Sequence, residues 1–471
     1  MRYSQDTRRE QKTSKEGWSA NDRVEPESMP GVQSVSSASA NRRNDESEYS
    51  SNLLGKIVDR GNLNAAYKRV KANKGSHGAD GMTVEELLPY LKEHGKAIRE
   101  ALLEGSYKPK PVRRVEVPKP GGGVRQLGIP TVLDRMIQQA ILQRLTPIFD
   151  PDFSEHSYGF RPGRSAKEAV LKAKGYIEEG NRWVVDIDLA RYFDTVNHDK
   201  LMSLVARKVA DKRVLKLIRS YLNSGVMING IVVELEEGCP QGGPLSPLLS
   251  NIMLDELDKE LEKRGHKFVR YADDCNTYVR SKRAGERVMQ SITEYLEKKL
   301  KLKVNQDKSA VDKPVKRKFL GFSFYNKKDG VGIRVHTKPL NKFKDKVREI
   351  LSRSNGRSMD QRIKSLNYLI IGWVNYFGLA DMKNRAGELD EWIRRRLRMC
   401  IWKQWRKIRT RHDNLIKLGI DNRKAWEYAN TRKGYWRIAG SPILHLSLTN
   451  EYLRKSGFVS LSSRYSQLRS F

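Results

Sequence analysis

The sequence predicts an α+β fold: an antiparallel sheet with interleaved helices, followed by a wholly helical region. Between residues 107 and 324, short apolar strand patterns such as residues 184–189 and 319–324 alternate with amphipathic helical patterns. They do not repeat as regular strand–helix–strand units, which favours an antiparallel sheet over a parallel one. After Lys338 the strand patterns stop, and three long basic helical runs follow at about residues 340–352, 359–377 and 389–407.

The chain divides into four expected segments. Residues 1–50 are rich in Ser, Asn, Arg and Glu with few large apolar side chains, so we predict a disordered tail, with RNA binding as its alternative role. Helical spacing of apolar residues begins near Leu53, and a boundary near Thr337 closes a first domain at residues 51–337. A helical domain at residues 338–408 and a basic C-terminal region at residues 409–471 complete the order.

The charge of the chain points to a polyanionic partner. The 90 Lys and Arg residues outnumber the 56 Asp and Glu residues, for a formal net charge of +34, and nucleic acid is the default partner of such a chain. An anionic membrane is the competing partner, but no apolar run approaches the roughly 20 residues of a transmembrane helix, and no signal-peptide core follows Met1. We therefore expect no membrane association. The three cysteines are far apart, which excludes a disulfide framework or a Cys-based zinc site and predicts a reducing, cytoplasmic location.

A basic hairpin is predicted near residue 120. Residues 112–117 and 124–130 read as two strands, and Lys119 and Arg125 flank the three glycines of the turn between them. A two-stranded ribbon would bring both cations together, with lysine as a point charge and arginine as a fork for phosphate oxygens. The alternative is an ordinary surface hairpin of a basic protein.

The most informative pattern is Tyr-Ala-Asp-Asp at residues 271–274, which places two adjacent aspartates at the expected tip of a β-hairpin. Neighbouring carboxylates repel each other, and hard divalent cations such as Mg²⁺ prefer their oxygens. A separate apolar strand offers Asp186 and Asp188 on one face. With Asp273 and Asp274 they would suit a two-metal site for phosphoryl transfer. A solvated acidic turn and salt bridges to arginine are the alternatives.

The loop at residues 238–247 reads Gly-Cys-Pro-Gln-Gly-Gly-Pro-Leu-Ser-Pro and precedes a long apolar helix. Paired glycines let a backbone approach another chain closely, and Gln241 offers both donor and acceptor functions. An ordinary helix-entry loop would not need both the paired glycines and the repeated prolines.

Taken as a set, these motifs resemble a known family. Residues 188–194 (Asp-Leu-Ala-Arg-Tyr-Phe-Asp), the Pro-Gln-Gly-Gly-Pro-Leu-Ser-Pro loop and Tyr-Ala-Asp-Asp occur in the order and spacing of the reverse transcriptases encoded by bacterial group II introns, also called intron maturases. Residues 157–162 and 319–322 are similar as well, and the resemblance extends from about Leu53 to the end of the chain. It implies a right-hand polymerase: fingers and palm with an antiparallel sheet, then an all-α thumb and a small helical C-terminal region.

The resemblance implies a role for each of eight residues. Asp188, Asp273 and Asp274 would form the catalytic and metal-binding triad for Mg²⁺, with Mn²⁺ as a substitute. Five residues would bind the incoming deoxynucleoside triphosphate: Lys119 and Arg125 at the triphosphate, Tyr192 as the aromatic gate against a ribose 2′-hydroxyl, Gln241 in the nucleotide pocket and Lys308 near the phosphates. Cys239 stands where the family often has threonine, and we expect its thiol to pack there.

The implied function is RNA-directed DNA synthesis, in which the protein extends a DNA primer on an RNA template. The resemblance also implies binding of group II intron RNA to assist splicing, and action on target DNA during intron mobility. Since no paired cysteines follow Cys400, we expect the nuclease domain of longer relatives to be absent. Two alternatives remain: a splicing-only RNA-binding protein with an inactive core, which the intact acidic set disfavours, and a domesticated enzyme of DNA repair or phage defence.

Overall fold

The computed structural model describes residues 52–118, 124–228, 231–233, 237–239 and 242–470, without the side chain of Arg125. The predicted tail at residues 1–50 lies outside these ranges. Up to residue 233 the elements are α1 (Leu53–Ile57), α2 (Arg60–Ala72), α3 (Leu87–Glu104), β1 (Val112–Pro118), β2 (Val124–Ile129), α4 (Val132–Phe149), α5 (Ala166–Glu178), β3 (Trp183–Ile187), α6 (Tyr192–Thr195), α7 (His198–Ala206), α8 (Lys212–Leu222), β4 (Val226–Ile228) and β5 (Ile231–Val233).

The elements of the second part begin with a long helix and end in a run of helices. They are α9 (Ser246–Lys263), β6 (Lys267–Tyr271), β7 (Asp274–Val279), α10 (Lys282–Tyr295), β8 (Ala310–Asp312), β9 (Phe322–Lys327), β10 (Gly330–Val335), α11 (Thr337–Ile350), α12 (Met359–Phe377), α13 (Lys383–Gln404), α14 (Ile408–Lys417), α15 (Asn422–Ala429), α16 (Tyr435–Ile438), α17 (Pro442–Ser447), α18 (Asn450–Lys455) and α19 (Leu461–Arg469).

Two four-stranded sheets organise the strand-containing part. The second sheet has the order β6-β7-β3-β8 and is antiparallel throughout, as predicted. The first sheet has the order β2-β1-β4-β5, and its central pair β1–β4 is parallel, with Val112 opposite Val226. The expectation of a purely antiparallel sheet is therefore wrong for the first sheet. Strands joined by a short turn must be antiparallel, whereas β1 and β4 are far apart in the chain and are free to pair either way.

Two hydrophobic cores lie on the two sides of the second sheet. The first core contains α4, α8 and α9 and takes Val185 and Ile187 from β3. The second core takes Val184 from the other face of β3 and continues through Phe322 into the C-terminal helices. Because successive strand residues point to opposite faces, β3 is buried on both sides up to its last residue, Ile187. This burial fixes the position of the strand that directly precedes Asp188.

The C-terminal helices form one packed unit with the second sheet. Helix α12 spans the predicted residues 359–377, while α13 begins six residues before the predicted 389. The last helix, α19, is tied to α13 by the buried Asp390, whose carboxylate accepts hydrogen bonds from the backbone N–H groups of Leu461 and Ser462 at 2.7 and 2.9 Å. Tyr465 donates its hydroxyl to the carbonyl of Ala380 at 2.9 Å. Residues on both sides of position 408 thus share a core.

Candidate active site

Asp273 and Asp274 lie at the tip of the β6–β7 hairpin, as predicted. The register pairs Tyr271 with Asp274, so the turn consists of Ala272 and Asp273 alone. Ala272 adopts a left-handed φ of +58°, which is uncommon for a residue with a Cβ atom. Asp273 therefore occupies the turn itself, and Asp274 is the first residue of β7.

Asp188 directly follows β3 at the same end of the sheet. Strands β3 and β7 are antiparallel neighbours, and Ile187 pairs with Cys275. Asp188 is the next residue after Ile187, and Asp274 immediately precedes Cys275, so the two acids flank the last pair of this register. The backbone N–H of Asp188 donates to Ser309 Oγ at 3.0 Å, which fixes the residue just beyond the strand. The sheet thus brings the predicted strand acid next to the hairpin acids.

Two cations meet the acids at the end of β3. The ammonium nitrogen of Lys308 lies 3.6 Å from Asp188 Oδ1. Arg317 donates from Nε and Nη2 to Asp186 Oδ2 at 2.9 and 2.5 Å. Burial raises the pKa of Asp186, and the Arg317 guanidinium acts in the opposite direction. Asp186 therefore forms a salt bridge with an arginine, which was the alternative to metal binding. Asp188 is the acid of this segment that lies next to the hairpin.

The donor set at this end of the sheet consists of carboxylate oxygens, the ligands that Mg²⁺ and Mn²⁺ prefer. Among the residues that the structure describes, no three His, Cys, Asp or Glu side chains converge closely enough to hold a metal ion together. The chemistry of the ligands fits a hard cation. The structure brings Asp188, Asp273 and Asp274 to one end of one sheet through backbone register, but it does not gather their carboxylates at one point.

A cleft of about 480 Å³ opens beside the hairpin. Asp273 lines it, together with the aromatic residues Phe160 and Phe193. Arg135 and Gln139 of α4 form another wall. The cleft has room for a polar ligand beside Asp273, with aromatic surface and a guanidinium around it.

The structure places Tyr192, the predicted gate, away from the cleft. Its side chain is only 3% exposed, and its hydroxyl donates to the carbonyl of Ser250 at 3.2 Å. It does not line the cleft, whereas the next residue, Phe193, does. The Tyr192 ring is thus packed in the core, and Phe193 is the aromatic side chain of this motif that faces the cleft. Sequence reasoning missed Phe193, although it is the second aromatic residue of the same motif.

Three predicted triphosphate and nucleotide contacts lie outside the described residues. Lys119 and Gln241 fall in the gaps, and the side chain of Arg125 is not described. The strands that carry the basic hairpin are present, since β1 pairs with β2 from Arg113 opposite Ile129 to Pro118 opposite Val124. The roles of Lys119, Arg125 and Gln241 stay predictions.

The described ends of the 238–247 loop pack tightly against the rest of the site. A Cβ atom on Gly242, whose φ is +131°, would lie 2.6 Å from the carbonyl oxygen of Gly128 in β2. Gly242 thus permits close approach to this protein's own first sheet, and a Cβ atom on Gly243 would lie 2.3 Å from the side-chain oxygen of Gln138 in α4. Cys239 is buried as predicted, its N–H donates to the carbonyl of Phe193 at 2.6 Å, and burial raises the pKa of its thiol to about 11. It stays protonated and packs.

Comparisons with known proteins identify the family. Residues 117–324 match the family described as reverse transcriptase (RNA-dependent DNA polymerase), and residues 340–419 match the maturase-specific domain of group II introns. Protein YkfC of Escherichia coli (strain K12) is 36% identical over 280 residues, which cover 51% of this chain and 74% of that protein. The group II intron-encoded protein LtrA of Lactococcus lactis subsp. cremoris is 38% identical over 206 residues, covering 44% of this chain and 34% of LtrA. The chain belongs to the group II intron-encoded reverse transcriptases.

Two further findings accompany this assignment. A solved structure titled "Partial Cas6-RT-Cas1--Cas2 complex" aligns at 25% identity with a TM-score of 0.35, over 52% of this chain and 42% of that one. Within the described part of this reverse transcriptase, no helix combines the length and the apolar character needed to cross a lipid bilayer. Enzymes of this family are RNA-directed DNA polymerases, and reverse transcriptases generally use divalent metal ions.

Proposed function

We propose that this group II intron reverse transcriptase copies RNA into DNA at a site formed by Asp188, Asp273 and Asp274. The observation that carries the proposal is the β3–β7 register, whose last pair, Ile187 with Cys275, is flanked by Asp188 and Asp274, with Asp273 in the adjoining turn. Two Mg²⁺ ions, or Mn²⁺ in their place, would activate the primer 3′-hydroxyl and stabilise charge on the phosphate undergoing transfer. The three carboxylates are the groups that would hold them.

The surrounding residues suit the binding of a deoxynucleoside triphosphate. Lys308 lies beside Asp188, at a place where its ammonium group can contact phosphate oxygens. Phe193 lines the same cleft as Asp273, and its ring would meet a ribose 2′-hydroxyl. We therefore transfer the proposed gate from Tyr192 to Phe193. Lys119, Arg125 and Gln241 remain the proposed contacts to the triphosphate and the base.

The overall arrangement suits a right-hand polymerase. The two sheets with their helices, residues 51–337, would form the fingers and palm. Residues 338–408, which hold α12, α13 and all of α11 except its first residue, would form the thumb, and the helical residues 409–471 would contact target DNA. This division into domains is part of the proposal.

A basic and aromatic surface on the C-terminal helices suits the binding of intron RNA. The Arg395 guanidinium lies 4.2 Å from the Trp436 ring centroid, and the Lys403 ammonium lies 5.1 Å from the Tyr435 centroid. Arg396 lies 5.2 Å from the ring of Trp392. Cations stacked on aromatic rings are held in place and present their charge to phosphates, as in other RNA-binding surfaces. This surface would grip the intron RNA whose splicing the protein assists.

The experiment is primer extension on an RNA template with purified Asp273→Asn and Asp188→Asn variants. Each variant should lose Mg²⁺-dependent extension by at least about a hundredfold, since each substitution removes a charge that would neutralise the metal ions. Binding of intron RNA should stay unchanged, because the proposed RNA-binding residues Arg395, Arg396 and Lys403 are not altered. Asp199→Asn is the matched control, because Asp199 is exposed on α7 and pairs with Arg219. Extension that persists in both site variants would refute the assignment.

A further inference from the structure

A fully buried arginine, Arg270, contacts the backbone of the proposed metal-binding turn. Arg270 of β6 donates from Nε to Asp258 Oδ1 and Oδ2 at 2.7 and 2.9 Å, and from Nη2 to Asp258 Oδ2 at 2.5 Å. Its Nη1 donates to Asn251 Oδ1 at 2.9 Å and to the carbonyl of Ala272 at 3.0 Å. Both Arg270 and Asp258 have side chains with no exposed surface. One guanidinium thus links helix α9 to the residue that forms the turn.

The same network holds the turn from its other side. Asn251 donates from Nδ2 to the carbonyl of Gly159 at 2.9 Å. A Cβ atom at Gly159 would lie 2.3 Å from the backbone nitrogen of Ala272, so only glycine allows this loop to reach the turn. The N–H of Tyr158 donates to the carbonyl of Arg270 at 2.9 Å, which attaches the loop to β6. The turn is enclosed between α9 and this loop.

Stability alone does not explain such an arrangement. A buried ion pair is weak evidence for stability, because apolar side chains of similar volume often serve as well or better. Ala272 keeps a left-handed backbone without being glycine, a conformation that persists only where its surroundings enforce it. The carbonyl that Arg270 contacts belongs to this residue and immediately precedes Asp273.

We propose that Arg270 is a positioning residue for metal binding, because it holds the Ala272 carbonyl and thereby sets the direction of Asp273 and Asp274. The proposal rests on the function proposed above for these two aspartates. Asp258 supplies the counter-charge that keeps the guanidinium in place, and Asn251 joins it to the Gly159 loop. Groups that orient metal ligands typically change metal affinity by about 10–100-fold when they are removed.

The test measures Mn²⁺ binding to the full chain by electron paramagnetic resonance, without nucleic acid, beside thermal unfolding. Arg270→Met leaves Asp258 buried without its partner and should lower both stability and Mn²⁺ affinity. The double variant Arg270→Met/Asp258→Leu removes both charges and should regain most of the stability. Its Mn²⁺ affinity should stay about 10–100-fold weaker than that of the native protein, because nothing holds the Ala272 carbonyl.

Two further variants complete the design. Arg270→Lys keeps a charge opposite Asp258, so it should fold, but its single nitrogen cannot reach Asp258, Asn251 and Ala272 together, and the affinity should remain low. Arg362→Met is the matched control, since Arg362 is a buried arginine that donates to the carbonyls of Ile350 and Ser352 in the C-terminal helices. It should lose stability while its Mn²⁺ affinity is unchanged.

The outcomes separate the two proposals. Native Mn²⁺ affinity in both the double variant and Arg270→Lys would overturn the positioning role. If Asp273→Asn also bound Mn²⁺ like the native protein, the metal site itself would be wrong. Weak binding in Asp273→Asn with native binding in the Arg270 variants would overturn only the positioning role. In primer extension, the Arg270 variants should need about 10–100-fold more Mg²⁺ for half-maximal rate, with a nearly unchanged KM for the nucleotide at saturating Mg²⁺.

Discussion

Tyr192 and Phe193 are neighbours in edge-to-face contact, with ring centroids 5.1 Å apart, and only Phe193 lines the cleft. The Tyr192 hydroxyl is bound to the carbonyl of Ser250 in α9. The buried tyrosine therefore anchors the short helix α6 and supports the phenylalanine ring from behind. Tyr192 thus belongs to the core, whereas Phe193 faces the cleft.

Replacing Phe193 by Ala should relax the choice of sugar. Without the ring, a ribose 2′-hydroxyl has space in the cleft, so the preference for deoxynucleotides should fall at least about tenfold. The measurement is the ratio of kcat/KM for dNTP and rNTP on an RNA template. Tyr192→Phe removes only the buried hydroxyl and should leave the ratio unchanged. A ratio that responds to Tyr192→Phe and not to Phe193→Ala would return the gate to Tyr192.

Replacing Lys308 by Met should weaken use of the triphosphate. Lys308 lies 3.6 Å from Asp188, so its charge is placed at the proposed reaction centre. Loss of one positive group that stabilises developing phosphate charge typically lowers the rate by about 100–1000-fold. Single-turnover extension measures it, with Lys328→Met in the β9–β10 turn as the control. Equal rates for the two variants would exclude a role for Lys308 in the chemistry.

Intron RNA binding should weaken steeply with salt. Each phosphate that the protein neutralises contributes close to one unit of slope in a plot of log Kd against log salt concentration. Replacing Arg395 and Lys403 by Gln should reduce that slope by about two if each meets one phosphate. Arg395→Lys with Lys403→Arg preserves the charge and should preserve the slope. Filter binding between about 50 and 200 mM salt measures the slope. An unchanged slope in the double Gln variant would show that neither residue contacts RNA phosphates.

The stability of the contact between α1 and α8 should depend on pH. Burial would raise the pKa of Asp211, but hydrogen bonds from the Arg213 side chain and from the backbone N–H groups of Leu54 and Arg213 lower it overall. A lowered folded pKa stabilises the protein above the unfolded value of about 3.9, and the contribution disappears as the pH falls through the folded pKa.

The variant Asp211→Asn should therefore lose about 1 kcal/mol at neutral pH, the difference between a charged and a neutral acceptor. Denaturant unfolding at pH 7 and near pH 3 measures the free energy of unfolding. The difference in this free energy between the variant and the native protein should be smaller at the lower pH. Asp345→Asn, at an exposed position of α11, is the control. A difference in free energy of unfolding that is the same at both pH values would show that the charge of Asp211 does not stabilise the protein.

The parts of the site that sequence predicted correctly depend on local rules. The Asp273–Asp274 hairpin follows from apolar strands around a short turn, and α12 follows from its helical repeat. The burial of Tyr192 was not predicted, because the chain leaves the strand after Ile187 and Arg191 takes a left-handed φ of +49° directly before Tyr192, so strand alternation does not apply there. The parallel β1–β4 pair and the contacts of Arg270 join residues distant in the chain, and no local pattern encodes them.

The closure of the C-terminal helices by α19 has a consequence for synthesis of the protein on the ribosome. Domains usually fold as they emerge, in order from the N-terminus. Here Asp390 stays without the N–H groups of Leu461 and Ser462 until residues 461–469 have left the exit tunnel. The nascent chain therefore carries α12 and α13 without the core contacts of Leu461 and Tyr465 until α19 has left the tunnel, so this core can close only after synthesis has gone beyond α19.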